Sequence, residues 1–175
     1  SGVSKNAEYI FNSVSLDIDM IDTCNMTYEK SAEALKNGTI DAFFVVLGAP
    51  CDVITQLSQD MDIRILPFDD RTISYMTNLY DGYYETVIKA GTYKGIDEDV
   101  KTVGVKAVLV ASKKTDSNTV RNFTEMLFEE NGEIKKKVEL ANNDLKFATE
   151  NIPCGFHKGA ADYYSSIGMA VKEED

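Results

Sequence analysis

The stretch that decides the fold class is Gly38-Thr39-Ile40-Asp41-Ala42-Phe43-Phe44-Val45-Val46-Leu47-Gly48-Ala49-Pro50. Its apolar run after Asp41 is nearly continuous, which is typical of a strand buried on both faces of a parallel α/β sheet. The small residues Gly48 and Ala49 then form a turn. Pro50 suits the first turn of a helix, because its missing N–H costs nothing there. The stretch therefore predicts a strand over 40–47 that leads directly into a helix.

Further elements are predicted on both sides of this strand from the spacing of apolar residues. Helices are expected to begin at Ser1-Gly2, at Thr27, with Pro50 in the first turn, at Asp69 or Asp70, near Ser117 and near Lys158, with one more marked by Ile134, Val138 and Ala141. Strands are expected around 20–23 and over 63–66 and 103–111. The stretch 83–100 is rich in turn residues and is interpreted as a long connection. Strands alternating with helices predict an α/β fold with a parallel or mixed sheet flanked by helices, followed by C-terminal helices.

Composition and charge narrow the possible partners. The 175 residues are 43% hydrophobic and 27% charged, as in ordinary globular proteins, and the net charge is -11. An acidic chain repels phosphate backbones and anionic membrane surfaces, which argues against nucleic-acid binding. No stretch approaches the roughly 20 apolar residues of a membrane-spanning helix, and no signal peptide is visible.

Residues for catalysis or metal binding are few. Three cysteines match no zinc or redox spacing, and a single histidine leaves little for a metal site, so no cofactor is expected. No nucleophile elbow, dinucleotide fingerprint or P-loop is present. Cys154 and His157 lie three residues apart, but both are best interpreted as turn and packing residues. We therefore expect a protein that is not an enzyme.

Binding residues are easier to propose. Ser1-Gly2 at a helix start offers free backbone N–H groups and the positive end of a helix dipole, and Ser4 and Asn6 add polar groups. Gly48, Ala49 and Pro50 form a second such start, at the carboxyl end of the strong strand, where α/β sheets bind ligands. Each start alone is also explained by a plain helix cap or turn. Tyrosines cluster around the long connection and suit a small-ligand cleft; they are Tyr80, Tyr83, Tyr84 and Tyr93.

A larger ordered set of residues resembles the TAXI family of TRAP transporter solute receptors. The set comprises Ser1-Gly2, Asn6-Ala7, 34–43, Gly48-Ala49-Pro50, 63–67, 91–95, 102–105, Leu109-Val110, Pro153, His157, Gly159-Ala160 and Tyr163-Tyr164. It spans nearly the whole chain, and its most specific parts are the Gly91-Thr92-Tyr93 turn and the late segment from Pro153. Two departures stand out: Val3 replaces a frequent threonine, and Lys158 replaces a frequent proline.

The resemblance implies a type II periplasmic-binding-protein fold with two α/β lobes and a ligand between them. Residues 1–112 would form the second lobe, and 113–175 would be helices that return toward a first lobe preceding this sequence. The implied ligand is a small organic anion or an amino acid such as glutamate, held near the Ser1-Gly2 turn, the Gly48-Ala49-Pro50 turn and Tyr93. Membrane subunits of a TRAP transporter are the implied partners. The implied location is periplasmic or extracellular, with anchored and free forms both open.

Two other functions remain open from the sequence. The same lobe serves as a ligand-sensing domain in signalling or regulatory proteins, which a DNA-binding or kinase segment elsewhere in the gene product would favour. An enzyme is a second alternative, and turnover that depends on His157 or Cys154 would support it.

Overall fold

The computed structural model describes residues 2–128 and 144–174, which form two compact units divided between Val105 and Lys106. The first contains α1 (Gly2–Ser13), a 3-10 helix (Ile18–Met20), α2 (Tyr28–Lys36), α3 (Asp52–Asp60), α4 (Asp70–Leu79), β1 (Tyr83–Ile88) and β2 (Val100–Val105). The second contains α5 (Ser117–Phe128), α6 (Leu145–Thr149) and α7 (Lys158–Ser166). The mixed α/β class predicted from the sequence is confirmed. The predicted division of roles between 1–112 and 113–175 stays a prediction.

Local capping sets the helix starts, and most were predicted correctly. The Thr27 hydroxyl accepts a hydrogen bond from the Lys30 N–H at 3.3 Å, and the Asp69 carboxylate accepts one from the Thr72 N–H at 2.8 Å. Each bond satisfies a first-turn donor that the helix itself leaves unpaired. The prediction that Pro50 lies in the first turn of a helix is wrong, because α3 begins two residues later and Cys51 is its N-cap.

The turn residues of 83–100 predicted a long connection, and this prediction is wrong. The stretch contains β1, the turn and the first residue of β2, which together make most of a β-hairpin. β1 pairs antiparallel with β2, with Tyr84 opposite Gly104. The tyrosines, threonine, valine and isoleucine of β1 favour strand structure, and the turn residues are confined to 89–99. A Cβ atom on Gly104 would lie 2.5 Å from the Tyr84 ring, so the Tyr84 side chain can lie across this position because residue 104 is glycine.

The expected parallel sheet does not form within the described residues. Segments 40–47 and 63–66 are not strands, 20–23 contains the end of the 3-10 helix instead, and β2 ends at Val105 rather than Ala111. The paired strands there, β1 and β2, are antiparallel. Only Phe68, beyond the second segment, donates its N–H to the Lys101 carbonyl of β2, at 3.0 Å. Apolar sequence specifies that a segment favours burial, but it does not specify which strand pairs with it.

A small apolar core holds the first unit together. Tyr93, Ile96 and Val100 are buried against one another, and three half-buried isoleucines pack on them, namely Ile54, Ile65 and Ile88. The core therefore joins α3 through Ile54, the segment before α4 through Ile65, and the two strands beside the hairpin turn through Ile88 and Val100. Met76 of α4 is also fully buried. The Ser13 and Thr72 hydroxyls share a buried hydrogen bond that joins α1 to α4.

The second unit is built on the contact of α5 with α7. Gly159 makes this contact possible, because a Cβ atom there would lie 2.1 Å from the Ser117 carbonyl oxygen. Aromatic rings pack beside it; they belong to Phe128, Phe156, Tyr163 and Tyr164. The helix predicted from Ile134, Val138 and Ala141 lies outside the described residues.

Replacing Gly159 by alanine is expected to destabilise the second unit by about 1–3 kcal/mol, because the new methyl group overlaps the backbone of α5. Thermal unfolding followed by circular dichroism measures the effect. Gly2→Ala is the matched control, since a Cβ atom there meets nothing within 4 Å. Equal unfolding midpoints for the two variants would contradict this account of the helix contact.

The Asp69 cap predicts part of the loss of free energy of unfolding at low pH. The backbone N–H and then the hydroxyl of Thr72 lower the pKa of this carboxyl below its usual 3.8. A folded-state pKa below the unfolded value gives stability that is present above about pH 4 and is lost as pH falls through the folded pKa. Asp69→Asn keeps an acceptor without titrating, so its stability should fall less steeply with acidification. Parallel urea-unfolding profiles for wild type and Asp69→Asn between pH 5 and 2.5 would rule this out.

Candidate functional site

Two hollows lie where helices begin in the first unit. The α3 pocket has a volume of about 390 Å³ and is lined by Tyr28, Glu29, Leu47, Gly48, Pro50, Cys51, Asp52 and Val53. The α2 hollow is wider, about 670 Å³, and is lined by Asn25, Met26, Thr27 and Lys30. The start of α2 borders both, since Tyr28 and Glu29 line the first and Thr27 and Lys30 line the second, and we call the two together the concave surface. Its volume range suits a small molecule.

The Gly48-Ala49-Pro50 turn forms one wall of the α3 pocket. Gly48 and Pro50 line the pocket, and Ala49 lies between them in the same exposed loop. A Cβ atom on Gly48 would meet nothing within 4 Å, so the space in front of this backbone is open. Of the residues expected from the sequence, those of this turn lie at the pocket itself.

Tyr93 lies behind the pocket. Its side chain is 5% exposed, and its hydroxyl accepts a hydrogen bond from the Cys51 N–H at 3.1 Å and donates to the Cys51 Sγ at 3.6 Å. Burial, followed by the contact with Cys51, raises the pKa of Tyr93 to about 12. The phenol is therefore neutral at physiological pH and is engaged with the residue that begins α3.

Of the residues expected in α1, Ser4 contacts a residue that lines the other hollow. Gly2 is the first residue of the helix, and the Ser4 hydroxyl donates to the Asn25 side-chain oxygen at 3.3 Å. Asn6 has both ends of its amide bonded, because its nitrogen donates to the Gly2 carbonyl at 2.8 Å and its oxygen accepts from the Tyr83 hydroxyl at 2.6 Å. Ser1 lies outside the described residues. The structure thus brings Ser4 to the α2 hollow and directs the Asn6 amide toward β1.

Tyr28 is a pocket residue that the sequence analysis missed. Its hydroxyl lies 3.3 Å from both the backbone nitrogen and the carbonyl oxygen of Val46. It therefore joins the start of α2 to the residue that precedes the pocket wall. No local signal marks this role, since the partners are 18 residues apart in sequence. Asn25, Thr27 and Lys30 were also not named as site residues in the sequence analysis.

Opposing charges meet at this surface. The N-cap Cys51 makes no side-chain hydrogen bond to the first turn of α3, so that turn presents its N–H groups and the positive end of its dipole to the pocket. Glu29 and Asp52 add carboxylates, and the pKa of Glu29 is lowered by its backbone N–H and the Thr27 hydroxyl. Lys30 adds a cation in the α2 hollow. The surface can therefore bind polar groups of either sign at different points.

Metal-binding groups are not assembled in the described ranges. No group of three or more His, Cys, Asp or Glu side chains there could hold a metal ion. His157 is the N-cap of α7, and its Nδ1 accepts a hydrogen bond from the Gly159 N–H at 3.1 Å. Cys154 is exposed and has a free thiol. His157 therefore has a capping role that accounts for its position.

Among curated proteins, the chain is similar to the G-protein coupled receptor homolog UL33 of human cytomegalovirus. Identity is 35% over 66 residues for strain AD169 and 35% over 65 residues for strain Merlin. The matches cover 38% and 37% of this chain, but the chain spans only 16% of each of these relatives. Within 2–128 and 144–174, no helix has the length and apolar character needed to cross a membrane. Because the likeness covers only 16% of each relative, it carries no receptor activity to the chain.

A family model covers far more of the sequence. The NMT1-like family matches residues 1–168, and this is a family of the periplasmic-binding-protein type. Families of this type bind small-molecule solutes, are generally non-enzymatic and point to an extracytoplasmic location. The mixed α/β architecture and the concave surface at the helix starts agree with this assignment. The chain belongs to the NMT1-like family.

Proposed function

We propose that this chain is the ligand-binding part of an extracytoplasmic solute receptor of a TAXI-type TRAP transporter. The observation that carries the proposal is the α3 pocket, where the first turn of a helix without a side-chain cap faces an open wall formed by Gly48 and Pro50. A helix N-terminus binds carboxylates through its free N–H groups and its dipole. The ligand class is a small organic anion or an amino acid such as glutamate.

Each end of such a ligand has a suited position on the concave surface. A carboxylate fits the start of α3 or the neighbourhood of Lys30, while the ammonium group of an amino acid fits between Glu29 and Asp52. A helix terminus contributes about 0.3–1 kcal/mol to binding an exposed anion, and up to roughly 2 kcal/mol in a partly buried site. Closure of a second lobe over the ligand supplies the further burial, and the closed form is what TRAP membrane subunits would receive.

Native mass spectrometry of the full-length protein tests the ligand class directly. We expect the purified receptor to retain one small acid or amino acid per chain, which denaturation releases for identification. An empty protein that also ignores a panel of dicarboxylates and amino acids in calorimetry would contradict the proposal.

Gly48→Leu tests the placement of the site. The new side chain has room, because nothing lies within 4 Å of the Cβ position, so the free energy of unfolding should change by less than about 0.5 kcal/mol. It projects into the open space of the pocket, so the affinity for the retained ligand should fall at least tenfold in calorimetry.

The matched control for Gly48→Leu is Ala90→Leu, which places the same side chain on an exposed residue of the hairpin turn. Its affinity should equal that of wild type. Full affinity in Gly48→Leu would remove the α3 pocket from the binding site.

A further inference from the structure

The loop that forms the wall of the α3 pocket is held at both ends by tyrosine hydroxyls. We call residues 47–50 the wall loop. Val46, which precedes it, has both backbone polar groups 3.3 Å from the Tyr28 hydroxyl. Cys51, which follows it, donates its N–H to the Tyr93 hydroxyl at 3.1 Å. The two tyrosines thus approach the loop from different elements, α2 and the hairpin turn.

Few hydrogen bonds restrain the wall loop between these two ends. Its four residues are exposed, and within the described part of the chain its backbone makes no backbone–backbone hydrogen bond. A short exposed loop without internal hydrogen bonds samples many conformations unless its ends are fixed. The positions of Val46 and Cys51 therefore determine the shape of the wall.

The two anchors differ in strength. Tyr93 is part of the apolar core, packs with Ile96 and Val100, and is buried, so its hydroxyl is a fixed point. Tyr28 is half-buried and lines the pocket, and its hydroxyl bonds are long. The Cys51 end of the wall loop is therefore the firmer end, and the Val46 end is the one that can yield.

We propose that Tyr28 and Tyr93 are positioning residues of the α3 pocket, whose hydroxyl groups hold the wall loop in the shape that receives the ligand. The inference rests on the proposed ligand-binding function. Neither hydroxyl has to touch the ligand. Each acts through the backbone of the loop, so its loss lowers the fraction of receptor with a binding-competent wall and reduces the apparent affinity by that fraction.

The test uses Tyr28→Phe and Tyr93→Phe in the full-length protein, since both substitutions keep the ring and remove only the hydroxyl. Affinity is measured by calorimetry with L-glutamate and with succinate, and amide hydrogen exchange is followed over residues 46–51. Tyr75→Phe is the matched control, because it removes a hydroxyl from α4 that interacts with Tyr80 rather than with the wall loop.

We expect the affinity to fall about fivefold to tenfold in each test variant, the loss associated with one ordinary hydrogen bond. Exchange over 46–51 should accelerate in both, and Tyr75→Phe should match wild type in affinity and exchange. A purely structural role would lower the unfolding midpoint without faster exchange confined to 46–51.

Unchanged exchange over 46–51 in both variants overturns the inference, whatever the binding result. Unchanged affinity in variants of a wild type that binds a probe also overturns it. A wild type that binds no ligand contradicts the proposed function instead, and hydrogen exchange then decides the role of the two tyrosines.

Discussion

The hydrogen bond from the Cys51 amide to the Tyr93 hydroxyl connects the stability of the first unit to the shape of its concave surface. Tyr93 is buried with Ile96 and Val100, and Ile54 of α3 packs against the same group. The apolar contacts place the α3 helix, and the hydroxyl then orients its N-cap residue, Cys51. A buried phenol that lost this partner would leave an unsatisfied polar group, which costs about 1–3 kcal/mol. Core and pocket wall are therefore coupled through one side chain.

Helix caps were predictable because their chemistry is local. Thr27 and Asp69 accept hydrogen bonds from N–H groups three residues later, and a sequence window of that size contains both partners. The hairpin was missed because Gly91 and Gly95 dominated the interpretation of the whole stretch from 83 to 100. Both glycines have positive φ and lie within the turn, while β1 before them has strand-forming residues.

The residues of the candidate site also divide into those marked by local sequence and those placed by contacts between distant residues. Gly48 and Pro50 were predicted at the site because a strand-like run followed by small residues is visible in the sequence, and they line the pocket. Tyr28 was not predicted, because its contact with Val46 spans 18 residues, and the contact of Tyr93 with Cys51 spans 42. Contacts of that kind depend on how elements pack, and neither spacing nor propensity records them.

Because the concave surface is open, its contacts alone supply little binding free energy, so the cost of ordering the wall loop matters. Micromolar affinity requires about 8 kcal/mol, whereas a helix terminus or an exposed ion pair contributes roughly 1 kcal/mol. Contacts on this surface alone therefore fall well short, and enclosure of the ligand has to supply most of the remainder. Enclosure is effective only if the wall already has the right shape, because ordering a loop on binding subtracts from the affinity. Two hydroxyl groups at the ends of a four-residue loop reduce that cost before any ligand arrives.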